Sequence, residues 1–166
     1  MTALFITRQD LVQNSFMNGN VDSAKFLQFI KIAQDIHVQN ILGTDLYNKI
    51  SSDIEGSTLA GNYATLVSEY IKPVLIHFAM TDYLPFAAYQ LANGGLFRYS
   101  PEGSETLTNS EVELLIQKHR DYADFYSRRL IGHLKYNADD NYPEYLTNTD
   151  NDMKPDKDVL FTNWVL

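Results

Sequence analysis

The chain has 166 residues, a formal net charge of −8 and a sequence pI of about 4.8. Hydrophobic residues make up 45% of it, which is enough for a folded domain with its own core and excludes a largely disordered protein. The acidic balance disfavours general nucleic-acid binding, because phosphate contacts need clustered Lys and Arg. The absence of cysteine excludes disulfides and thiolate metal sites.

The sequence also disfavours a membrane protein. No apolar run reaches the roughly 18–20 residues that a membrane-spanning helix needs. Arg8 and Asp10 directly follow a short apolar stretch, and no basic region precedes that stretch as it would in a signal peptide. We therefore expect a protein that does not contact membranes and is made in the cytoplasm of the cell that expresses it.

The first predicted helix begins after Thr7. Thr7 and Asp10 have the spacing of a capping box, and the helix is expected to end near Met17. The Asn-Gly-Asn sequence at residues 18–20 signals a turn, and Asp22 is a plausible cap for the next helix.

The next segment predicts two helices that meet at a corner. Apolar residues recur with helical spacing and form one buried stripe; they are Phe26, Phe29, Ile30, Ala33, Ile36 and Ile41. Gly43 is expected to end this helix in a left-handed conformation, and Thr44 to cap the second helix. The second helix is predicted from about Asp45 to Glu55, before Gly56.

The middle of the chain predicts a central helix followed by an extended arm. Residues 62–93 have a helical pattern that Pro73 and Pro85 interrupt, and Pro73 is expected to mark either a kink or a fresh helix start. Residues 73–92 are apolar on nearly every side, which is typical of a helix at the centre of a bundle. Residues 96–107 favour a strand, an extended loop or a hairpin arm.

A long last helix is predicted after Thr108. Thr108 and Glu111 form a second capping-box pattern, and the helix is expected to reach about Asn137. Its predicted apolar stripe consists of Val112, Leu115, His119, Tyr122, Tyr126, Leu130, His133 and Leu134. The chain thus divides into a helical domain (residues 1–137) and an acidic linker with an apolar C-terminal tail (residues 138–166).

The histidines do not predict a metal or catalytic site. His37, His77, His119 and His133 include no pair spaced four residues apart, and His119 and His133 are expected to be interior residues with hydrogen-bonding neighbours. His77 and Asp82 both fall in the central helix, but a spacing of five residues turns them to different faces. We expect Asp82 to pair structurally with Arg120, Arg128 or a tyrosine; catalysis by His77 and Asp82 is the less favoured alternative.

The acidic residues near the C-terminus do not form a calcium loop. Asp150, Asp152, Asp156 and Asp158 resemble one at first, but an EF-hand that starts at Asp150 would need Gly and Glu where Pro155 and Phe161 stand. A solvated acidic linker is the interpretation that we favour. No phosphate-binding glycine loop occurs. The sequence therefore predicts no catalytic residue, no metal ligand and no cofactor.

The apolar C-terminal tail is predicted to be an interface. Its apolar residues are Val159, Leu160, Phe161, Trp164, Val165 and Leu166, and the extended arm adds Phe97 and Tyr99. Such a run is unfavourable in water. We expect it to reach a neighbouring chain, by adding a strand or by inserting Trp164 as an anchor. The alternative is that it packs on the bundle of its own subunit.

These sequences also resemble a known protein family. Residues 26–50 (FLQFIKIAQDIHVQNILGTDLYNKI), residues 5–12 (FITRQDLV) and the apolar tail resemble the head–tail connector (adaptor) proteins of tailed phages, especially those infecting Bacteroidota. The resemblance is firmest over residues 2–50 and is architectural from there to residue 137. It implies a structural virion protein without enzymatic activity, made in the host bacterial cytoplasm and located at the neck of the virion.

The resemblance also implies a mode of assembly. About twelve copies would form a ring on the portal protein, extend the DNA channel and provide a docking surface for tail or further neck proteins. DNA would pass through without specific binding, since tight phosphate contacts would slow its passage.

The expected fold is an all-α bundle of four or five main helices, with a short extended arm or hairpin and an extended C-terminal tail. Two other functions remain open. One is a monomeric helical binding or regulatory module; the other is a helical enzyme, which would need a deep pocket lined by His77, Asp82 and tyrosines.

Overall fold

The computed structural model describes residues 3–14, 23–87, 89–92, 95–98, 108–149 and 152–158. The helices are α1 (Arg8–Asn14), α2 (Ser23–Ala33), α3 (Gln39–Leu42), α4 (Thr44–Glu55), α5 (Gly61–Thr65), α6 (Lys72–Tyr83), α7 (Asn109–Asn141) and α8 (Pro143–Thr147). The strands β1 (Tyr89–Ala92) and β2 (Gly95–Arg98) form one antiparallel hairpin. The all-α prediction is confirmed. None of the helices in the described ranges is long and apolar enough to cross a membrane.

Two capping boxes start helices where the sequence predicted them. Before α1, the Asp10 amide donates to Thr7 Oγ1 at 3.2 Å, while the Thr7 amide donates to Asp10 Oδ2 at 2.8 Å. Before α7, Thr108 and Glu111 exchange the equivalent bonds at 3.3 and 2.8 Å. Each box satisfies amides that a helix start leaves without an intrahelical partner.

A π-helical turn, Gln34–Val38, joins α2 to α3 in one continuous helix. A π turn holds more residues than an α turn, so it changes which side chains face the core. Ile36 is 57% exposed and Val38 is buried, so the prediction that Ile36 belongs to the buried stripe is wrong. Gln34 is fully buried instead, and its side chain bonds to the Phe5 amide and the Tyr47 hydroxyl.

A second π-helical turn, Leu66–Ile71, precedes Pro73 and joins α5 to α6. Pro73 is the second residue of α6 and has no N–H to donate to the Glu69 carbonyl four residues earlier. Arg129 of α7 donates to that carbonyl instead, at 3.1 Å. Ile71 and Lys72 both keep right-handed helical dihedral angles, so the helix continues through Pro73 and the alternative of a fresh helix start is wrong.

Helix α6 occupies the centre of the bundle, where it packs against α2 on one side and α7 on another. Seven of its twelve residues are buried: Val74, Leu75, Ile76, Phe78, Ala79, Met80 and Thr81. The prediction of a central helix is confirmed, but its predicted end at residue 92 is wrong. The helix ends at Tyr83, a 3₁₀ turn that contains Pro85 follows, and the chain then enters β1.

The hairpin pairs Ala92 with Gly95 and Tyr89 with Arg98. The predicted extended arm is confirmed over β2, but β1 lies where a helix was predicted. Asn93-Gly94 separates the strands in sequence, and this pair is the strongest short hairpin signal. The apolar run before this pair instead favours a helix, which is why a helix was predicted there.

Helix α7 continues to Asn141, so the predicted boundary between residues 137 and 138 falls inside a helix. After α8, residues 148–149 and 152–158 form an arm, here called the C-terminal arm, that packs on the corner between α3 and α4. The arm is therefore docked and not a free linker, while Asp152, Lys154, Lys157 and Asp158 are exposed to solvent as predicted for the acidic segment.

Candidate interaction surface

The corner between α3 and α4 depends on a glycine. Gly43 has φ 75° and ψ 160°, a conformation that L-residues with side chains rarely adopt, and its amide donates to Gln39 O at 2.8 Å. The ring of Pro155 lies so close that a Cβ on Gly43 would be 2.6 Å from Pro155 Cγ and Cδ. The prediction that Gly43 ends the first helix is confirmed.

Thr44 has a different role from the predicted helix cap. It is the first residue of α4 and follows the N-cap residue Gly43, which has no side chain to form a capping bond. Its amide donates to Met153 O at 2.9 Å, and its Oγ1 accepts from the Met153 amide at 3.0 Å. The same hydroxyl donates to Asp152 Oδ2 at 3.2 Å. Thr44 thus holds the C-terminal arm on the corner.

Asn148 supplies the acceptor at the start of α4. Its Oδ1 accepts from the Asp45 amide at 3.2 Å, across 103 residues of sequence. Asp45 in turn accepts from the Thr149 hydroxyl at 3.1 Å, and Asn148 Nδ2 donates to Met153 O at 3.2 Å. The Asp45 amide, which a neighbouring cap residue would normally bind, is therefore bound by the side chain of Asn148 from the C-terminal arm.

A groove opens between α2, α6 and α7, with a cavity of about 350 Å³. Its lining residues are Phe29, Ile32, Thr81, Asp82, Pro85, Phe86, Ile116 and Arg120. Asp82 Oδ2 is buried and accepts no hydrogen bond in the described part of the chain. Burial raises the pKa of Asp82, and the positive charge of Arg120 offsets part of this rise. Of the predicted partners of Asp82, Arg120 is therefore the one that interacts with its carboxylate.

His37 lies 3.9 Å from Asp82, measured from Nε2 to Oδ2. Its ring stacks on Phe78 with 3.7 Å between centroids. Burial, with a further contribution from Arg120, lowers the pKa of His37 to about 4. The imidazole is therefore neutral at pH 7, and the contact with Asp82 is not an ion pair under these conditions.

The structure brings His77 together with His119 and not with Asp82. The two Nδ1 atoms lie 3.1 Å apart, so one ring donates its proton to the other. Tyr126 stacks on His77 at 5.5 Å between centroids. Burial, with a smaller contribution from the neighbouring His119, lowers the pKa of His77 to about 4, and burial also lowers the pKa of His119.

The other predicted interior histidine also has hydrogen-bonding neighbours. His133 Nε2 lies 3.1 Å from the Tyr142 hydroxyl, which donates to Asn62 O at 3.2 Å. His119 is buried and His133 is half-buried, so the prediction of structural histidines is confirmed for both. In the described residues, no group of three or more His, Asp or Glu side chains is placed to hold a metal ion.

The outer face of α7 carries exposed apolar residues. Leu114 is 60% exposed, Phe125 58% and Tyr136 88%. Their spacing of eleven residues places all three on one face of the helix.

Arg129, one of two adjacent arginines in the sequence, lies over the Tyr70 ring at 4.6 Å and donates a hydrogen bond to Glu69 O. Its role is therefore structural and does not indicate a nucleic-acid site.

The predicted interface residues are mostly outside the described residues. Phe97 lies in β2, where only the backbone is described. The others, Tyr99, Val159, Leu160, Phe161, Trp164, Val165 and Leu166, are not described. The Thr44–Met153 pairing and the apolar groove depend on long-range packing, so no local sequence signal predicts them.

A protein-family model matches most of the chain. Residues 38–154 match DUF6712, a family of unknown function. This match covers more than two thirds of the chain, so the chain belongs to this family. It includes the α3–α4 corner and Met153 of the C-terminal arm. No curated protein and no solved structure matches the chain significantly.

Proposed function

We propose that this member of DUF6712 is a head–tail connector (adaptor) subunit of a tailed phage. About twelve copies form a ring on the portal at the neck of the virion, extend the DNA channel and bind tail or further neck proteins. No reaction is catalysed. The observation that carries the proposal is the resemblance of residues 2–50 to connector proteins, joined to an all-α bundle built around the corner at Gly43.

Exposed apolar side chains recur along α7. Leu114, Phe125 and Tyr136 lie along one face of a 33-residue helix, each more than half exposed. Consecutive members are about 16 Å apart along the helix axis, so they are single exposed side chains and not a contiguous apolar patch. Gly132 lies on the same face, and no atom within 4 Å would meet a Cβ there. A glycine in an exposed helix lowers helix stability, but it lets another backbone approach closely.

The hairpin offers a second kind of contact. A two-stranded sheet leaves backbone donors and acceptors along its outer edges, and another chain can bind there by adding a strand. Phe97 in β2 and Tyr99 after it are the predicted contact residues of this arm. The apolar C-terminal tail is the other predicted contact, and it stays a prediction.

The charge of the subunit suits a channel that DNA crosses. A net charge of −8 gives little attraction for phosphate, so a ring of such subunits would not retain DNA.

In the described residues, His77 pairs with His119 and not with Asp82, so they do not form the pocket lined by His77 and Asp82 that the helical-enzyme alternative needs. The groove with its cavity of about 350 Å³ favours a binding module as the second candidate, since it is within the size range of ligand pockets.

The test of the proposal is association with a portal protein. The gene should lie beside portal and capsid genes, and the protein should copurify with the portal encoded there. Purified protein that stays monomeric alone remains consistent with the proposal, because the portal is the expected template. Failure to bind portal, neck or tail proteins of the same genome would contradict it.

A further inference from the structure

A small polar cavity lies where the last residue of α1 meets α7 and the continuous α5–α6 helix. Its volume is about 180 Å³. A water molecule occupies about 30 Å³ in the liquid, so the cavity has room for only a small ligand. Five of its seven lining residues have polar side chains, unlike the apolar groove at Phe29; they are Asn14, Ser68, Lys72, His77 and Tyr126.

The cavity is built into the packing of α6 against α7. Ser68, Lys72 and Ile76 are spaced four residues apart on the continuous helix, so they project from one helix face. Tyr126 of α7 supplies another wall, and its ring stacks on that of His77 with 5.5 Å between centroids. The site is therefore formed by rigid elements and needs no rearrangement to admit a ligand.

Lys72 is the cationic lining residue. Its Nζ donates to Asp10 Oδ1 at 2.7 Å, which leaves two of the three ammonium hydrogens for other acceptors. Asp10 does not line the cavity, and its Oδ2 accepts from the Thr7 amide and hydroxyl, each at 2.8 Å. Lys72 thus brings donors to the cavity while the carboxylate that holds it is outside.

His77 has a free edge toward the cavity. Its Nδ1 lies 3.1 Å from Nδ1 of His119, which does not line the cavity, and only one proton fits between the two atoms. A neutral imidazole carries one proton, so His77 holds it on Nε2 whenever His119 is the donor of this bond. In the described residues, neither His77 Nε2 nor the Tyr126 hydroxyl makes a hydrogen bond.

We propose that this cavity binds a small oxyanion, a carboxylate or a phosphate group, with Lys72 Nζ, His77 Nε2–H and the Tyr126 hydroxyl as donors. Oxygens of either group accept bonds from all three donors, and a bond to an ionised group is stronger than one between neutral groups. The bound anion selects the arrangement in which His119 donates to His77, so the His77 ring reports whether the cavity is occupied. This inference does not depend on the proposed connector function.

The test is titration of the full-length protein at pH 7 with sodium phosphate and, separately, with sodium acetate. In ¹⁵N-labelled protein the chemical shift of each imidazole nitrogen shows whether it carries a proton, and the chain has 4 histidines to assign. The His77 Nε2 signal, identified by its loss in His77→Gln, should move toward the protonated value and saturate. Sodium chloride at equal ionic strength should not cause this change. Saturation with phosphate alone would assign a phosphate site, and saturation with acetate alone a carboxylate site.

Lys72→Gln tests the cation. It should raise the Kd of the anion about tenfold or more, because it removes a charge-assisted bond. Lys49→Gln is the matched control, since Lys49 also pairs with an aspartate, Asp53, at 2.6 Å and does not line the cavity. This control removes the same charge from the protein and should change the Kd less than about twofold.

Tyr126→Phe tests the hydroxyl and keeps the ring that packs on His77. It should raise the Kd several-fold. Tyr122→Phe is its control, because the Tyr122 ring also lies beside His77, at 5.2 Å between centroids, but does not line the cavity.

Two results would overturn the inference. One is a His77 signal that responds to phosphate and acetate no more than to sodium chloride. The other is a saturable response that both Lys72→Gln and Tyr126→Phe leave at the wild-type Kd, which would place the anion at another site.

Discussion

Pro155 packs directly against the backbone of Gly43, so that a Cβ at residue 43 would lie 2.6 Å from two atoms of the proline ring. This contact joins a residue of the α3–α4 corner to one that is 112 positions later in sequence. It shows that the C-terminal arm is part of the folded domain and that the glycine serves both the turn and the docking of the arm.

Gly43→Ala should destabilise the protein strongly. The backbone at φ 75° alone costs a residue with a side chain about 1–3 kcal/mol, and the contact with Pro155 adds to this loss. Chemical denaturation measures the free energy of unfolding. Gly132→Ala is the control, because no atom within 4 Å opposes a Cβ there, and it should stabilise α7 by about 0.5–1 kcal/mol. Equal effects of the two substitutions would contradict the account of the corner.

Thr44→Val should weaken the docking of the arm. The change removes the acceptor of the Met153 amide and the donor to Asp152, and the expected loss of unfolding free energy is about 1–3 kcal/mol. Hydrogen exchange of the Met153 amide should quicken in the native state. Thr65→Val is the matched control, since its exposed hydroxyl bonds only to Gly61 O in its own helix, and its effect should stay within about 0.5 kcal/mol. An unchanged Met153 exchange rate would disprove the role given to Thr44.

The His77–His119 pair should make the protein less stable in mild acid. Both pKa values are lowered in the folded state, that of His77 to about 4, so the unfolded chain binds more protons below pH 6.5. Stability is therefore complete above pH 6.5 and falls as the pH approaches 4. His77 is partly exposed, and solvent screening reduces its expected share to about 1 kcal/mol between pH 7 and pH 5.

His77→Gln removes one titrating group of this pair and should make the pH dependence shallower. Urea denaturation at pH 7 and pH 5 measures the free energy of unfolding of both proteins. His37 and His133 also have lowered pKa values, so part of the slope remains in the variant. A variant with the same slope as the wild type would show that His77 titrates normally in the folded protein.

Metal removal should have no effect on stability. The sequence predicts no ligand set for zinc or calcium, and melting curves with and without EDTA should coincide. A fall in Tm of more than a few degrees that one particular metal restores would reveal a metal site and contradict this prediction.

The sequence predicted the features that depend on local chemistry. The capping boxes at Thr7 and Thr108 and the stop at Gly43 each follow from a few neighbouring residues, and the central position of α6 follows from its apolar composition. The π turn at Gln34–Val38 exposes Ile36 because it shifts the helical phase. The spacing of apolar residues in the sequence does not reveal this shift.

Other features depend on long-range contacts that a sequence does not display. The bonds from Asn148 and Met153 to the α4 start form only because α7 and α8 bring the arm back across the bundle. The groove at Asp82 has the same origin, since its walls come from three helices. The β1 strand was predictable in principle from Asn93-Gly94, but the apolar run before it favoured a helix.

The proposed connector function requires that the protein form a ring on a portal. Cryo-electron microscopy of the protein bound to the portal of its own genome tests this most directly. The account predicts a closed ring of about twelve copies, and twelve subunits of 19.0 kDa give roughly 228 kDa. Portal particles that carry no added density with saturating protein, together with no binding to neck or tail components, would contradict the claim.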